Sequence, residues 1–124
     1  MSANKERRRN RRYRCIAPAT VQVSLDDVPC LARIVDLSIG GCLVVLRDPQ
    51  SLSEDTVVEL TFDVDQLPFR LRAQVRAIRS DVSIGCQFLI ASPRVQKRLD
   101  DLIGDIVADL ISDFEQHKST EIVQ

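Results

Sequence analysis

The chain is poor in aromatic residues and has no long hydrophobic run. Among its 124 residues there is no tryptophan, and aromatic residues make up 4% of the total. Sequence-independent binding of single-stranded nucleic acid uses a row of aromatic side chains on which bases stack, and this composition disfavours that class. The apolar residues near the C-terminus are interrupted by aspartates every few positions, so none of these segments suits a lipid bilayer. The segment 17–22 is too short and too polar for the hydrophobic region of a signal peptide.

Histidine and paired cysteines are also scarce. The chain has one histidine, His117, and four cysteines, none of them in a CxxC arrangement. A zinc site would need four ligands gathered from four separate segments, so we expect no metal. We expect the cysteines to be buried and reduced, acting as small hydrophobic residues in a cytoplasmic protein. No Cys-His or Ser-His pair has a supporting context, so we do not expect an enzyme.

Charge is balanced overall but segregated along the chain. The formal net charge is -1, yet the first fourteen residues contain seven basic residues and one acid, Glu6. The segment after Pro93 is rich in aspartate and glutamate. This asymmetry indicates an anion-binding arm at the N-terminal end. The alternative is a solvated basic tail that attracts nucleic acid without specificity.

Polar and apolar residues alternate from Cys15 to Ile90, which predicts half-buried strands. About six strands joined mostly by short turns predict a mainly β fold, a six-stranded antiparallel β-barrel that leaves no open sheet edge. An outward row of arginines on one predicted strand (Arg70, Arg72 and Arg76) could widen a ligand surface, although a solvated strand face is the simpler interpretation.

From Pro93 onward the apolar period changes to three and four, which predicts a long C-terminal α-helix to about Gln116. Ser92 supplies an N-cap before the proline. We expect the helix to close one mouth of the barrel. Its last apolar residues, Leu110, Ile111 and Phe114, exceed what a small barrel covers, so we predict a weak homodimer through this stripe. The predicted units are a flexible basic arm, a barrel, the helix and a tail, at 1–14, 15–92, 93–117 and 118–124.

A second polar motif, Asp36-Leu37-Ser38-Ile39-Gly40-Gly41, interrupts the strand pattern. Asp36 and Ser38 are two positions apart and share one face of a strand end. A carboxylate beside a hydroxyl can accept hydrogen bonds from a guanine edge. The alternative is a β-turn in which both side chains satisfy nearby backbone groups. The glycine pair permits a positive φ and a close backbone approach.

Two motifs together resemble the PilZ domain family. Residues 6–13 are similar to its RxxxR signature, with Arg8 and Arg12 as the paired arginines, and residues 36–41 are similar to its [D/N]xSxxG signature. A weaker likeness is the strand Ile84-Gly85-Cys86-Gln87-Phe88. The resemblance covers about residues 5 to 105. It implies a six-stranded barrel followed by a helix, and binding of the bacterial second messenger cyclic di-GMP.

The resemblance also implies roles for individual residues. Arg8 and Arg12 would grip phosphates and stack on guanines, while Asp36 and Ser38 would read a guanine edge. Gly41, next to Gly40 in the same predicted ligand site, would keep the surface open. An arginine just before the first motif, here Arg7, tends to favour a stacked pair of ligands. The paired arginines of the RxxxR signature could instead be Arg7 and Arg11.

The sequence therefore predicts a single-domain cyclic di-GMP receptor. The sequence shows no catalytic or DNA-binding output domain. We therefore expect the receptor to pass on its signal by binding an unidentified effector protein. The alternative is a nucleic-acid-binding or assembly module that uses the basic arm, and nucleic acid is the less expected partner.

Overall fold

The computed structural model describes the backbone of residues 11–24, 26–90 and 92–123, and the side chains of these residues as far as 112. Arg7 and Arg8, and the side chain of Phe114, lie outside the described residues. The described chain forms six strands and one helix. They are β1 (Tyr13–Gln22), β2 (Cys30–Leu37), β3 (Gly41–Leu46), β4 (Val57–Val64), β5 (Leu67–Ile78), β6 (Ser83–Leu89) and α1 (Pro93–Val123).

The strands form a closed barrel in the order β1-β2-β3-β6-β5-β4. Each strand pairs antiparallel with both neighbours, and β1 with β4 completes the circle. Closure leaves none of these six described strands with an unpaired edge, which protects the sheet from pairing with other chains. The predicted six-stranded antiparallel β-barrel with a long C-terminal helix is confirmed.

The core is built from the inward residues of the alternating strands. On β4 the buried positions are Val58, Leu60, Phe62 and Val64, with exposed or half-buried residues between them. The ring of Phe62 stacks on Phe69 at a centroid distance of 5.0 Å and on Phe88 at 6.3 Å. Three of the four phenylalanines therefore share one place in the core, where large rings bury the most apolar surface.

The first part of α1 packs against the barrel. Leu99, Leu102 and Ile103 are buried in the same core as the strands. Arg98 reinforces this docking, because its Nη2 donates to the carbonyl of Pro68 at 2.8 Å and its guanidinium lies 4.8 Å from the Phe69 ring centroid. The helix continues to Val123, beyond its predicted end near Gln116. No helix in the described part of the chain is long and apolar enough to cross a membrane.

At Gly41 the backbone of β3 comes close to the backbone of β6. A Cβ atom built on this residue would lie 2.1 Å from the backbone oxygen of Cys86. The close backbone approach that the glycine pair permits is therefore present at Gly41. No glycine in the described ranges has a positive φ.

We expect Gly41→Ala to destabilise the fold, because the obstructing atom belongs to the backbone of β6 and cannot rotate away. Overpacking of this kind costs about 1–3 kcal/mol of the free energy of unfolding, which urea titration measures. The matched control is Gly104→Ala on α1, where a Cβ would meet nothing within 4 Å. That change should stabilise the helix by about 0.5–1 kcal/mol. Equal effects at both positions would contradict the close-approach interpretation.

Candidate ligand-binding site

A shallow cavity of about 670 Å³ lies at the rim of the barrel, beside the turn between β2 and β3. Three parts of the chain meet there: the residue before β1, the turn between β2 and β3, and the end of β5 with the adjacent part of β6. We call this cavity the rim depression. Its lining residues are Arg12, Ser38, Gly40, Gly41, Arg76, Ala77, Arg79, Gly85, Cys86 and Gln87.

Ser38 builds the turn at this rim and is buried, with 4% of its surface exposed. Its backbone N–H donates to the Gly41 carbonyl at 2.8 Å. Its hydroxyl accepts from the Gly41 N–H at 3.1 Å and donates to the Gly41 carbonyl at 3.1 Å. The hydroxyl proton is therefore used in a hydrogen bond within the turn, which agrees with the β-turn alternative. One acceptor lone pair remains, and reading of a base edge by Ser38 stays a prediction.

Asp36 is held in place by the irregular pairing of β2 with β3. The register shifts between Ile34 and Asp36, and the Asp36 Oδ1 accepts from the backbone N–H of Leu43 at 3.1 Å. Its other carboxylate oxygen, Oδ2, lies 4.0 Å from Arg12 Nη1. Asp36 therefore has one oxygen committed to the strand and one directed to the arginine. At that distance the ion pair is weak and leaves Arg12 available to a ligand.

Arg12 enters the site from the chain segment just before β1. Half of its side chain is exposed (51%), and it lines the rim depression together with the β2–β3 turn. The structure thus brings the second predicted arginine next to Asp36, Ser38, Gly40 and Gly41. Arg7 and Arg8 lie outside the described residues, so their predicted roles stay predictions.

Two further arginines line the depression, namely Arg76, which sequence reasoning considered only as part of an outward arginine row, and Arg79, which it did not consider. Arg76 comes from the end of β5, and Arg79 follows β5 directly. Arg76 is positioned by a register shift between Val75 and Ala77 in the pairing with β6. The alternating pattern placed it with Arg70 and Arg72 in one outward row. A pattern of period two cannot reveal the local irregularity that separates these residues.

The rim depression is suited to an anion. Its described lining contains three guanidinium groups, and Arg76 is only loosely held, by an exposed ion pair with Asp55 at 3.2 Å. Guanidinium is a planar donor that binds phosphate oxygens in pairs and stacks on flat rings. Among the described residues no group of three or more His, Cys, Asp or Glu side chains could hold a metal ion.

The combination of a small closed β-barrel, a cationic site at its rim and an α-helix after its last strand is the arrangement to compare with known protein families. The family model of the PilZ domain matches residues 6–105. The chain belongs to the PilZ domain family. This match spans both motifs, all six strands and the docked part of α1. Among curated proteins, none matches the chain in sequence.

Solved structures show the same fold. The PilZ domain with cyclic di-GMP of YcgR from Escherichia coli is 20% identical, with a TM-score of 0.69, covering 88% of this chain and 98% of that one. The YcgR–cyclic di-GMP crystal structure is 25% identical, with a TM-score of 0.68, covering 87% and 50%. The complex of Klebsiella pneumoniae MrkH with cyclic di-GMP is 20% identical, with a TM-score of 0.71, covering 85% and 54%. The chain therefore spans about half of these two longer proteins.

We expect Ser38→Ala to destabilise the protein through the turn. Removal of the hydroxyl leaves the buried Gly41 N–H without its acceptor, which costs about 1–3 kcal/mol. Ser80→Ala is the matched control, because the Ser80 hydroxyl also accepts from turn N–H groups, those of Val82 and Ser83, but in an exposed position. Water replaces that acceptor, so the change should stay within about 0.5 kcal/mol. Urea unfolding of both variants tests the difference, and equal losses would mean that burial of Ser38 is unimportant.

Proposed function

We propose that this chain is a cyclic di-GMP receptor and that the ligand occupies the rim depression. The observation that carries the proposal is the meeting of Arg12 with the Asp36–Gly41 segment at one cationic rim. Membership of the PilZ family supports it, as do solved relatives that contain cyclic di-GMP. The ligand has two phosphates and two guanines, so it needs cations and hydrogen-bond acceptors side by side.

Each part of the site has a proposed role. Arg8 and Arg12 bind phosphate oxygens and stack on guanine faces, because guanidinium combines charge with a flat surface. The Asp36 carboxylate accepts hydrogen bonds from a guanine edge through the oxygen that is not bonded to Leu43. Ser38 and Gly41 hold the turn, and Ser38 adds its remaining lone pair. Gly40 and Gly41 line the depression without side chains that would occupy it.

Arg7 is proposed to favour a stacked pair of ligands over a single one. A second ligand adds two phosphates, and their charge requires further cations near the depression. Arg76 and Arg79 offer such cations from β5 and from the turn that follows it. We therefore assign them to the same ligand surface as Arg12.

The proposed output is a protein contact, since the domain acts by binding and not by chemistry. Ligand would join the N-terminal arm to the barrel rim and so change the surface that an effector protein meets. Cytoplasmic location fits a ligand of this kind. The helix provides a second surface for partners, because Leu110 and Ile111 are 51% and 54% exposed.

Calorimetric titration with cyclic di-GMP tests the receptor function. We expect binding by the unmodified chain, and a loss of about one to two decades of affinity for Arg12→Ala, because a charged hydrogen bond contributes about 1.5–3 kcal/mol. Arg8→Ala should lose a similar amount. Arg14→Ala is the control, since Arg14 lies outside the lining set of the depression. No binding by the unmodified chain, or equal losses for Arg12 and Arg14, would reject the assignment. A steep salt dependence on long nucleic acid would favour the alternative module.

The arginine on β5 gives a second, independent test. We expect Arg76→Ala to weaken binding about threefold to tenfold, which is less than Arg12→Ala because Arg76 is exposed and shared with Asp55. Arg72→Ala on the same strand is the matched control, because Arg72 is equally an exposed arginine but lies outside the lining set. Similar affinities for both variants would mean that Arg76 belongs to a solvated strand face and not to the ligand surface.

We also propose a weak homodimer through the exposed stripe of α1. Symmetric pairing would bury the same apolar residues on both copies, at about 25 cal/mol per Å² of apolar surface. We expect Leu110→Ser with Ile111→Ser to abolish self-association in sedimentation equilibrium while cyclic di-GMP affinity is kept. Asp105→Ser on the exposed part of the same helix is the control. A monomer for the unmodified chain at high concentration would reject the dimer.

A further inference from the structure

Asp55 occupies a backbone position that usually belongs to glycine. Its φ is 71°, in the left-handed region. Its N–H donates to the carbonyl of Val75 at 2.7 Å, while the Val75 N–H donates to the carbonyl of Thr56 at 2.9 Å. Asp55 and Thr56 therefore oppose one residue of β5, which is the pattern of a β-bulge whose first residue is left-handed and usually glycine. An aspartate here carries a side chain at a position where the backbone favours none.

Hairpin geometry does not account for this conformation. Among the described residues, Asp65 and Gln66 are the other non-glycine residues with a positive φ. They form the whole turn between β4 and β5, and a two-residue hairpin turn favours a positive φ at both positions. Asp55 lies before β4 and belongs to no such hairpin turn. Because backbone strain of this kind is concentrated at binding and active sites, the Asp55 carboxylate is a candidate functional group.

The carboxylate of Asp55 contacts Arg76. Asp55 Oδ1 lies 3.2 Å from Arg76 Nη1, and the two side chains are 72% and 55% exposed. The Asp55 backbone is hydrogen-bonded on both sides, since its carbonyl also accepts from Gln74 Nε2 at 3.2 Å. The carboxylate is therefore held beside Arg76 by the backbone, and pairing requires only the side chains to be ordered.

This ion pair draws the Arg76 guanidinium toward β4. In the barrel β5 lies between β4 and β6, and Asp55 comes two residues before the start of β4. The rim depression lies on the other side of β5, where Gly85, Cys86 and Gln87 of β6 line it, and Asp55 is outside this lining. Arg76 can thus pair with the carboxylate on one side or with an anion in the depression on the other.

We propose that Asp55 is an affinity-determining residue of the rim depression and competes with an anionic ligand for Arg76. The oxygens of an entering phosphate group and the Asp55 carboxylate require the same guanidinium, and the two anions also repel each other. This inference rests on the proposed function, because it concerns the affinity of the same site. An exposed ion pair contributes little, so removal of the carboxylate should raise ligand affinity about twofold to fivefold.

Asp55→Asn tests the competition, since asparagine tolerates a positive φ as aspartate does but carries no charge. Calorimetric titration with cyclic di-GMP should show the expected gain in affinity. Glu59→Gln is the matched control, because Glu59 Oε1 pairs with Arg70 Nε at 2.7 Å and Arg70 lies outside the lining. It removes an equal charge and should leave affinity unchanged. Equal gains for both variants would overturn the proposal, and weaker binding by Asp55→Asn would mean that Asp55 orients Arg76 for the ligand.

A double-variant cycle separates competition from a remote charge effect. In Arg76→Ala the carboxylate has no guanidinium to withhold, so adding Asp55→Asn should change affinity little. An equal gain with and without Arg76 would overturn the role of the ion pair. Asp55→Gly is a second variant that keeps the test valid where asparagine impairs folding, because glycine adopts a positive φ freely. It should reproduce the gain in affinity without lowering the urea midpoint.

Inorganic pyrophosphate, titrated at low ionic strength, distinguishes failure of this inference from failure of the receptor function. If the unmodified chain does not bind cyclic di-GMP, the receptor function is rejected. Asp55→Asn should then still bind pyrophosphate more tightly than the unmodified chain and Glu59→Gln do, and no difference would overturn the competition. If cyclic di-GMP binds with equal affinity before and after the change at Asp55, the receptor function stands and the competition is rejected.

Discussion

The contact on which the rest of the structure depends is the approach of Gly41 to the backbone of Cys86. This is the place where β3 meets β6 and the two halves of the strand order join into a barrel. A residue with any side chain would separate the strands there. At the same residue, the Gly41 N–H and carbonyl close the turn with Ser38. The absence of a side chain at Gly41 therefore allows β3 to pair with β6 and the turn at the rim to form.

The Asp36–Gly41 segment combines structural and proposed binding roles in the same side chains. One Asp36 oxygen completes the irregular pairing of β2 with β3, while the other lies toward Arg12. Ser38 uses its proton inside the turn. These local hydrogen bonds hold the side chains in fixed positions, which would reduce the ordering cost of the proposed binding. The turn interpretation and the ligand interpretation are therefore compatible.

Periodicity predicted most of the fold but less of the site. Alternation along segments such as 57–64 and 69–75 predicted the strands because one face of each is buried in the core. Arg76 was grouped with Arg70 and Arg72, since the register shift that moves it into the depression has no signature in the alternation. The helix end was predicted too early, because the apolar stripe weakens before the helix itself ends. The contact of Asp55 with Arg76 needs the pairing of β4 with β5, which local patterns do not contain.

The shallow docking of α1 has a mechanical consequence. Its fully buried residues end at Ile103 and its half-buried contacts with the core end at Val107, whereas residues 108–112 are exposed and the helix continues to Val123. At 1.5 Å per residue, the helix from Val107 to Val123 is about 24 Å long. A rigid rod of that length acts as a lever, so a tilt of about 5° at its base moves its tip by about 2 Å. Arg98, seated on the Phe69 ring, lies at the fulcrum. A small change of angle where the helix meets the barrel would therefore become a larger displacement at the far end of the helix.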